Sequence, residues 1–173
     1  MKRSIIIEKL TTKVVTIRAY VPNDLENTVP LWYRTWHQTF PNLQHPQPYH
    51  TWKARFHNDL ARRGEVWLAE LENQIVGLVL VIQETQELNQ LFVDHVYQNR
   101  GIGSDLLNKA KEICPQRLTL QTLQQNTKAC KFYEKHGFKA SKLATNEING
   151  QPNIEYYWVP SLSSLNSTKS VNL

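Results

Sequence analysis

"QNRGIGSDLL", residues 98–107, is the stretch on which the reading of this chain turns. Two glycines, Gly101 and Gly103, stand one residue apart. The segment before them, ELNQLFVDHVY (87–97), reads as a strand, and residues 103–113 read as a helix that stops before Pro115. A helix start leaves backbone N–H groups without partners and carries partial positive charge. Glycine lets a ligand approach that backbone closely, so the pattern suits an anion. Gln98 and Asn99 add donors, and Arg100 adds a charge able to hold a pyrophosphate. No Gly-Lys-Ser/Thr follows, so this is not a P-loop, and Leu106 fills the third glycine position of a dinucleotide fingerprint. Taken alone, the stretch is equally readable as a tight strand-to-helix turn.

Working outward, TTKVVTIR (11–18) alternates and is β-branched, as a first strand should be. Pro22 and Asp24 suit a helix entry, and Leu25, Val29, Trp32 and Trp36 form the apolar stripe of a helix running to about His37. Three prolines within 39–48 demand a loop. A second helix spans about 49–62 and ends at Gly64. EVWLAELENQIVGLVLVIQE (65–84) reads as two antiparallel strands turning at 72–74. RLTLQTL (117–123) is a fifth strand, and 126–136 is a short helix closed by Gly137. The last segment, 138–159, carries Asn149-Gly150 at its centre, a strong signal for a tight hairpin. The order β, α, α, β, β, β, α, β, α, β, β predicts an α/β domain: a mixed, mainly antiparallel sheet of about seven strands flanked by four helices. The strands on either side of the 103–113 helix should be parallel neighbours. Residues 1–160 form one domain and 161–173 a Ser/Asn-rich tail.

The bulk numbers narrow the function. The chain has 173 residues, 40% hydrophobic and 20% charged, which is a globular composition. A net charge of +5 without a basic run suits an anionic ligand and argues against nucleic acid. No apolar stretch approaches a membrane span or a signal-peptide core, so a cytoplasmic protein with no membrane partner is expected. Cys114 and Cys130 lack CxxC spacing and read as reduced thiols packed on helices, although either could serve as a ping-pong nucleophile. His95 and His136 have no partner at metal-ligand spacing, so no metal site is expected.

A second motif separates the alternatives for the glycine loop. VYQNRGIGSDLL resembles the Q/R-x-x-G-x-G/A signature of the GCN5-related N-acetyltransferase (GNAT) family, and NTKACKFYEKHGF (126–138) resembles that family's second recurring segment. The order of elements is similar from Thr11 to Val159. The resemblance implies acetyl-coenzyme A as co-substrate. It implies backbone contacts to the pyrophosphate from Asn99, Arg100, Gly101, Ile102, Gly103 and Ser104, with Gln98, at a fixed position of the signature, also binding the donor. It further implies a V-shaped splay between the fourth and fifth strands, at a bulge, with Leu91, Phe92 and Val93 pairing with the pantetheine arm. Asn126 and Tyr133 would also contact the donor. Tyr133 matches the tyrosine that often protonates the departing thiolate, and a phenol is protonated at neutral pH.

The general base is left among Glu84, Glu87, Asp94 and His37, acting directly or through water. The acceptor would be a small-molecule or peptide amine, with Tyr33, His37 and Phe40 as candidate contacts; Trp32 and Trp36, on the apolar stripe, read as core. Tyr156 and Tyr157 point to opposite faces, so at most one can line the slot. Exposed hairpin edges permit a homodimer. The resemblance thus leads to an acetyl-CoA-dependent N-acetyltransferase working by direct ternary-complex transfer. A catalytically inactive acyl-CoA-binding sensor or interaction module of the same fold is the alternative.

Overall fold

The long apolar run of 65–82 folds on itself at Glu72-Asn73, where both residues adopt positive φ (51° and 64°). This is the primed-turn geometry that matches the twist of a two-residue hairpin. The computed structural model describes residues 14–161. The start of the expected first strand, 11–13, and the tail beyond Ser161 lie outside the described residues. The strands are β1 (Thr16–Ala19), β2 (Glu65–Leu71), β3 (Gln74–Ile82), β4 (Glu87–Val93), β5 (Leu118–Leu123), β6 (Lys139–Thr145) and β7 (Pro152–Trp158). They form one sheet in the order β1-β2-β3-β4-β5-β7-β6. Every pairing is antiparallel except β4 with β5. The α/β class, the mixed sheet and the parallel pair agree with the sequence reading.

Helix α1 (Leu25–Thr39) follows a 3-10 turn at Pro22–Asp24. Helix α2 (Tyr49–Arg55) continues through a π-turn (Phe56–Leu60) into the single turn α3 (Ala61–Arg63), giving one helical segment. Helix α4 (Ile102–Ile113) is the crossover between β4 and β5, and α5 (Thr127–Lys135) leads into the final hairpin. The four helical segments cover both faces of the sheet. On one face Val29, Trp32, Trp36, Trp52 and Phe56 pack on Leu68, Leu78 and Leu80. On the other, Ile102, Leu106, Leu107 and Ala110 of α4 and Cys130 of α5 pack on Val79, Val81, Leu118 and Leu120. Trp32 and Trp36 are therefore core residues, as their stripe predicts. Both cysteines are buried free thiols, and burial pushes the Cys114 thiol up.

Arg18 of β1 fixes the entry to α1. Its guanidinium donates to both oxygens of Asp24 (2.7 and 2.9 Å) and from Nε to Glu70 Oε2 of β2 (2.7 Å). Asp24 also accepts the backbone N–H of Val21 at 2.9 Å. The hydrogen bonds from Arg18 hold the Asp24 carboxyl below the usual carboxylate range despite its burial.

The fourth strand differs from its sequence-predicted span. It ends at Val93, and His95–Tyr97 form a 3-10 turn capped by Asp94, whose Oδ1 accepts from Val96 N at 3.2 Å. The last hairpin also differs. Asn149-Gly150 is not a two-residue turn: the connection spans 146–151. The Asn146 side chain accepts from the N–H groups of Ile148 and Asn149 (3.0 and 3.1 Å). Gly150 alone takes positive φ, at 69°. An Asx turn thus competes successfully for the backbone donors that a tight hairpin would pair.

Candidate active site

The decisive feature is the gap in the sheet. On β4, Leu88 faces Val81 while Gln90 faces Leu80, so Asn89 is an extra residue without an opposite number. This bulge bends the strand. Beyond it β4 leaves β5: the two share one paired position, Glu87 with Thr119. The splay opens toward the C-terminal end of β4, where the chain enters the glycine loop. The bulge also resets the alternation. Leu88, Leu91 and Val93 share the α4–α5 face, while Phe92 belongs with the α1–α2 core.

A cavity of about 810 Å³ fills this opening. Its floor is Leu91, Phe92 and Val93. One wall is the glycine loop and the start of α4, with Gln98, Asn99, Gly101, Gly103 and Ser104. A second wall is the start and one side of α5, and a third is the end of α1 with the loop after it. Gly101 takes φ 87°, which lets the chain turn into α4 with its N–H groups toward the cavity. No atom within 4 Å would meet a Cβ there, so the space above Gly101 is open.

Several predicted ligand groups have structural duties. Gln98 Nε2 donates to Val93 O at 2.9 Å, and Gln98 Oε1 accepts from Lys128 Nζ at 2.6 Å. That amide therefore ties β4 to α5, and the Val93 carbonyl is already engaged. Ile102 is buried in the core, so only its backbone serves the loop. Arg100 stands over the Tyr97 ring at 5.5 Å and is not on the cavity wall. Asn126 caps α5, accepting from Ala129 N at 3.2 Å, and also lines the cavity.

The candidate catalytic groups sit elsewhere. Tyr133 is buried at 7% exposure behind Phe132, against Phe138 and Tyr156. Burial pushes its phenol well above the ordinary value. Helical phase explains the placement: Ala129, Phe132 and His136 of the α5 segment face the cavity, whereas Cys130 and Tyr133 face the sheet. Glu87 lies at the closed end of the splay and accepts from Asn89 Nδ2 at 2.8 Å. Glu84 is exposed in the β3–β4 connection. Four residues of strand, roughly 13 Å, separate Glu87 from Leu91, and neither glutamate lines the cavity. Asp94 is buried and paired with Arg34 Nη2 at 2.6 Å. Of the acceptor candidates, Phe40 lines the cavity. Tyr33 and His37 pack with Trp52 away from it, with His37 Nδ1 2.8 Å from Tyr33 O. Neither Tyr156 nor Tyr157 is on the wall; the Tyr156 hydroxyl donates to Glu134 at 2.8 Å.

Sequence reasoning missed the basic groups of the wall. Lys128, Lys135 and His136 line the α5 side, and His95 lines the α1 side. Ser104 Oγ and His136 Nε2 are 2.9 Å apart, and the His136 carbonyl accepts from Lys111 Nζ at 2.8 Å. The spacing of Asn126, Ala129, Phe132 and His136 was the available signal, a helical stripe of its own. With the N-terminus of α4, these bases make a positively biased pocket suited to phosphates. Among the described residues, no group of three or more His, Cys, Asp or Glu could hold a metal ion, and no helix is long and apolar enough to cross a membrane.

The splayed parallel pair, with the glycine loop and helix start at its open end, is the arrangement that the resemblance of the two motifs implies. The model of the acetyltransferase (GNAT) family matches residues 29–138, more than half of the chain, and the chain belongs to that family. The uncharacterized protein YxbD of Bacillus subtilis is 38% identical over 81 residues, 44% of this chain; the match spans about half of YxbD's length, 51%. YjaB of Escherichia coli, a peptidyl-lysine N-acetyltransferase by name, is 29% identical over 140 residues, 80% of this chain and 92% of YjaB. Its apo solution structure superposes with a TM-score of 0.68 at 26% identity, covering 86% of this chain and 99% of that one. The PaiA N-acetyltransferase of Thermoplasma acidophilum, in complex with coenzyme A, shares the fold with a TM-score of 0.72 at 20% identity, over 85% of this chain and 99% of that one.

Proposed function

We propose that this chain transfers an acetyl group from acetyl-CoA to a primary amine by direct attack within a ternary complex. The observation that carries the reading is the cavity of about 810 Å³, open between the splayed strands and closed at one end by the helix start. Its wall fits the donor. The N–H groups of Ile102, Gly103 and Ser104 would hold the pyrophosphate, and Lys128, Lys135 and His136 supply positive charge beside it. Backbone groups of Leu91 and Phe92, on the edge that β5 leaves uncovered, would pair with the pantetheine arm as a strand does.

In the transfer the amine lone pair forms a C–N bond to the thioester carbonyl while the C–S bond breaks. Backbone N–H groups at the bulged strand would stabilise the oxygen that gains charge. Tyr133 would give its proton to the thiolate and regain one from solvent. A high phenol pKa keeps it protonated, though Phe132 must yield for the thiol to reach it. The ammonium proton leaves through water, with Glu87 as the proposed distal base.

One observation favours the alternative, a coenzyme A-binding module without catalysis: Tyr133, Glu87 and Glu84 all stand off the cavity wall. Thiol release from acetyl-CoA over a panel of amines, together with calorimetric binding of coenzyme A, separates the two. Binding with amine-dependent thiol release supports transfer, binding without release under every condition supports the module, and no binding refutes both.

A further inference from the structure

The cavity has a second half that the donor would not fill. Its α1 side presents Thr35, Gln38, Thr39, Phe40 and Asn42, two hydroxyls and two amides around a ring. The ionisable groups of the whole wall are His95, Lys128, Lys135 and His136, and each is a base. The nearby carboxylate of Asp94 is consumed by Arg34 and by the N–H of Val96. An acceptor with several ammonium groups would meet no carboxylate on this wall, whereas a body bearing amides or hydroxyls would meet matching partners.

Thr35 marks where such a body would be seated. It is 1% exposed, and its Oγ1 is buried without a hydrogen-bond partner. It is the cavity-side member of a row on α1 with Thr28 Oγ1 and Trp32 Nε1, which are likewise buried and unpartnered. Buried polar groups are ordinarily bonded, so this one calls for a partner. A helical threonine divides between two χ1 rotamers. A turn about χ1 exchanges the positions of hydroxyl and methyl, so a hydroxyl on either branch is available to a partner in the cavity that Thr35 lines. Thr39, one turn on, is held ready by its bond to the Thr35 carbonyl (2.7 Å).

We propose that the α1 side of the cavity selects an acceptor with a single reacting amine on a neutral body of amide type, amino-acid amide or peptide in chemistry, and that Thr35 makes the hydrogen bond that seats it. Polyamines and aminoglycosides are then poor substrates. This inference rests on the acetyl-transfer reading above.

The test uses the full chain, coenzyme A calorimetry, and thiol release with glycinamide, Nα-acetyl-lysine amide and a neutral dipeptide against spermidine and kanamycin. The amides should exceed the polycations in kcat/KM by about tenfold or more. Thr35→Val keeps the shape and removes the hydroxyl; it should raise the acceptor KM roughly 3- to 10-fold, the worth of one neutral hydrogen bond. The KM for acetyl-CoA should not move, and Thr35→Ser should restore the acceptor KM. Preference for spermidine or kanamycin, acetylation of either with none of the amides acetylated, or an unmoved acceptor KM in Thr35→Val overturns the proposal alone, whereas coenzyme A binding without thiol release from any amine overturns the acetyl-transfer reading with it. Absence of coenzyme A binding overturns the acetyl-transfer reading with it.

Discussion

Gly101→Ala and Gly150→Ala form a matched pair that isolates what the glycine loop does. Both glycines hold positive φ, 87° and 69°, and in both a new Cβ meets nothing within 4 Å. The strain added to the backbone is therefore similar, about 1–2 kcal/mol for an L-residue held in the left-handed region. For a domain of this size that lowers Tm by roughly 2–8 °C in each variant. Their surroundings differ. Gly150 lies in the last hairpin loop, whereas Gly101 lines the cavity at the start of α4. A methyl group at Gly101 would occupy space that a phosphate needs to reach the helix N–H groups. Losing one or two such charge-assisted bonds, about 1.5–3 kcal/mol each, weakens coenzyme A about 10- to 150-fold for one bond and about 150-fold or more for two. Calorimetric titration with coenzyme A, alongside thermal melts, should show equal Tm losses and a weakened Kd in Gly101→Ala only. Wild-type affinity in Gly101→Ala, or an equal loss in Gly150→Ala, would refute the assignment of the loop to the donor phosphates.

Tyr133→Phe should lower kcat by roughly 100-fold if the phenol protonates the thiolate, leaving the Kd of coenzyme A within about twofold. Because burial raises the phenol pKa and the acid works protonated, wild-type kcat should show no fall from this group as pH approaches about 10; a pH–rate profile checks both. Lys128→Ala and Lys135→Ala should each weaken coenzyme A by about two- to fivefold at low salt, with the difference shrinking as salt is added; titrations at two ionic strengths read this. Asp24→Asn should destabilise the fold by about 1–3 kcal/mol at neutral pH through the lost pair with Arg18. Since the folded carboxyl pKa is depressed, that contribution is complete above the unfolded carboxylate range and disappears as pH falls through the folded value. Urea melts should therefore show the gap between wild type and variant closing below about pH 4.

Element order was legible because each signal is local: the period-2 pattern of 117–123, the Trp32 and Trp36 stripe, and the glycine loop where strand becomes helix. The loop position of the last hairpin was missed because Asn146, three residues before Asn149, captured the backbone N–H groups first. The place of Gln98, Asn99, Gly101, Gly103, Ser104 and the β4 floor on the cavity follows from chain order, whereas Arg100 and the Ile102 side chain turn away from it. That Glu87 and Glu84 stand off the cavity wall was not legible, because sequence adjacency to β4 does not say at which end β4 and β5 part. For Tyr133, the motif gives the residue type, but the facing of α5 depends on how that helix sits on β5 and β7. Lys128, Lys135 and His136 were overlooked for the same reason: as isolated bases on a short helix they look like solvated surface until the helix is docked.

The single bridge between Glu87 and Thr119 has a mechanical meaning. The sheet is two half-sheets, β1 to β4 and β5 to β6, stitched at one position and held from behind by the α4 crossover. Under the proposed function, an extended donor arm lying in the slot would supply the backbone pairing that the chain itself omits. The occupied protein would then exchange its amides as one cooperative unit, while the empty one would exchange them as two, with the α5 and β5-β7-β6 half opening on its own clock.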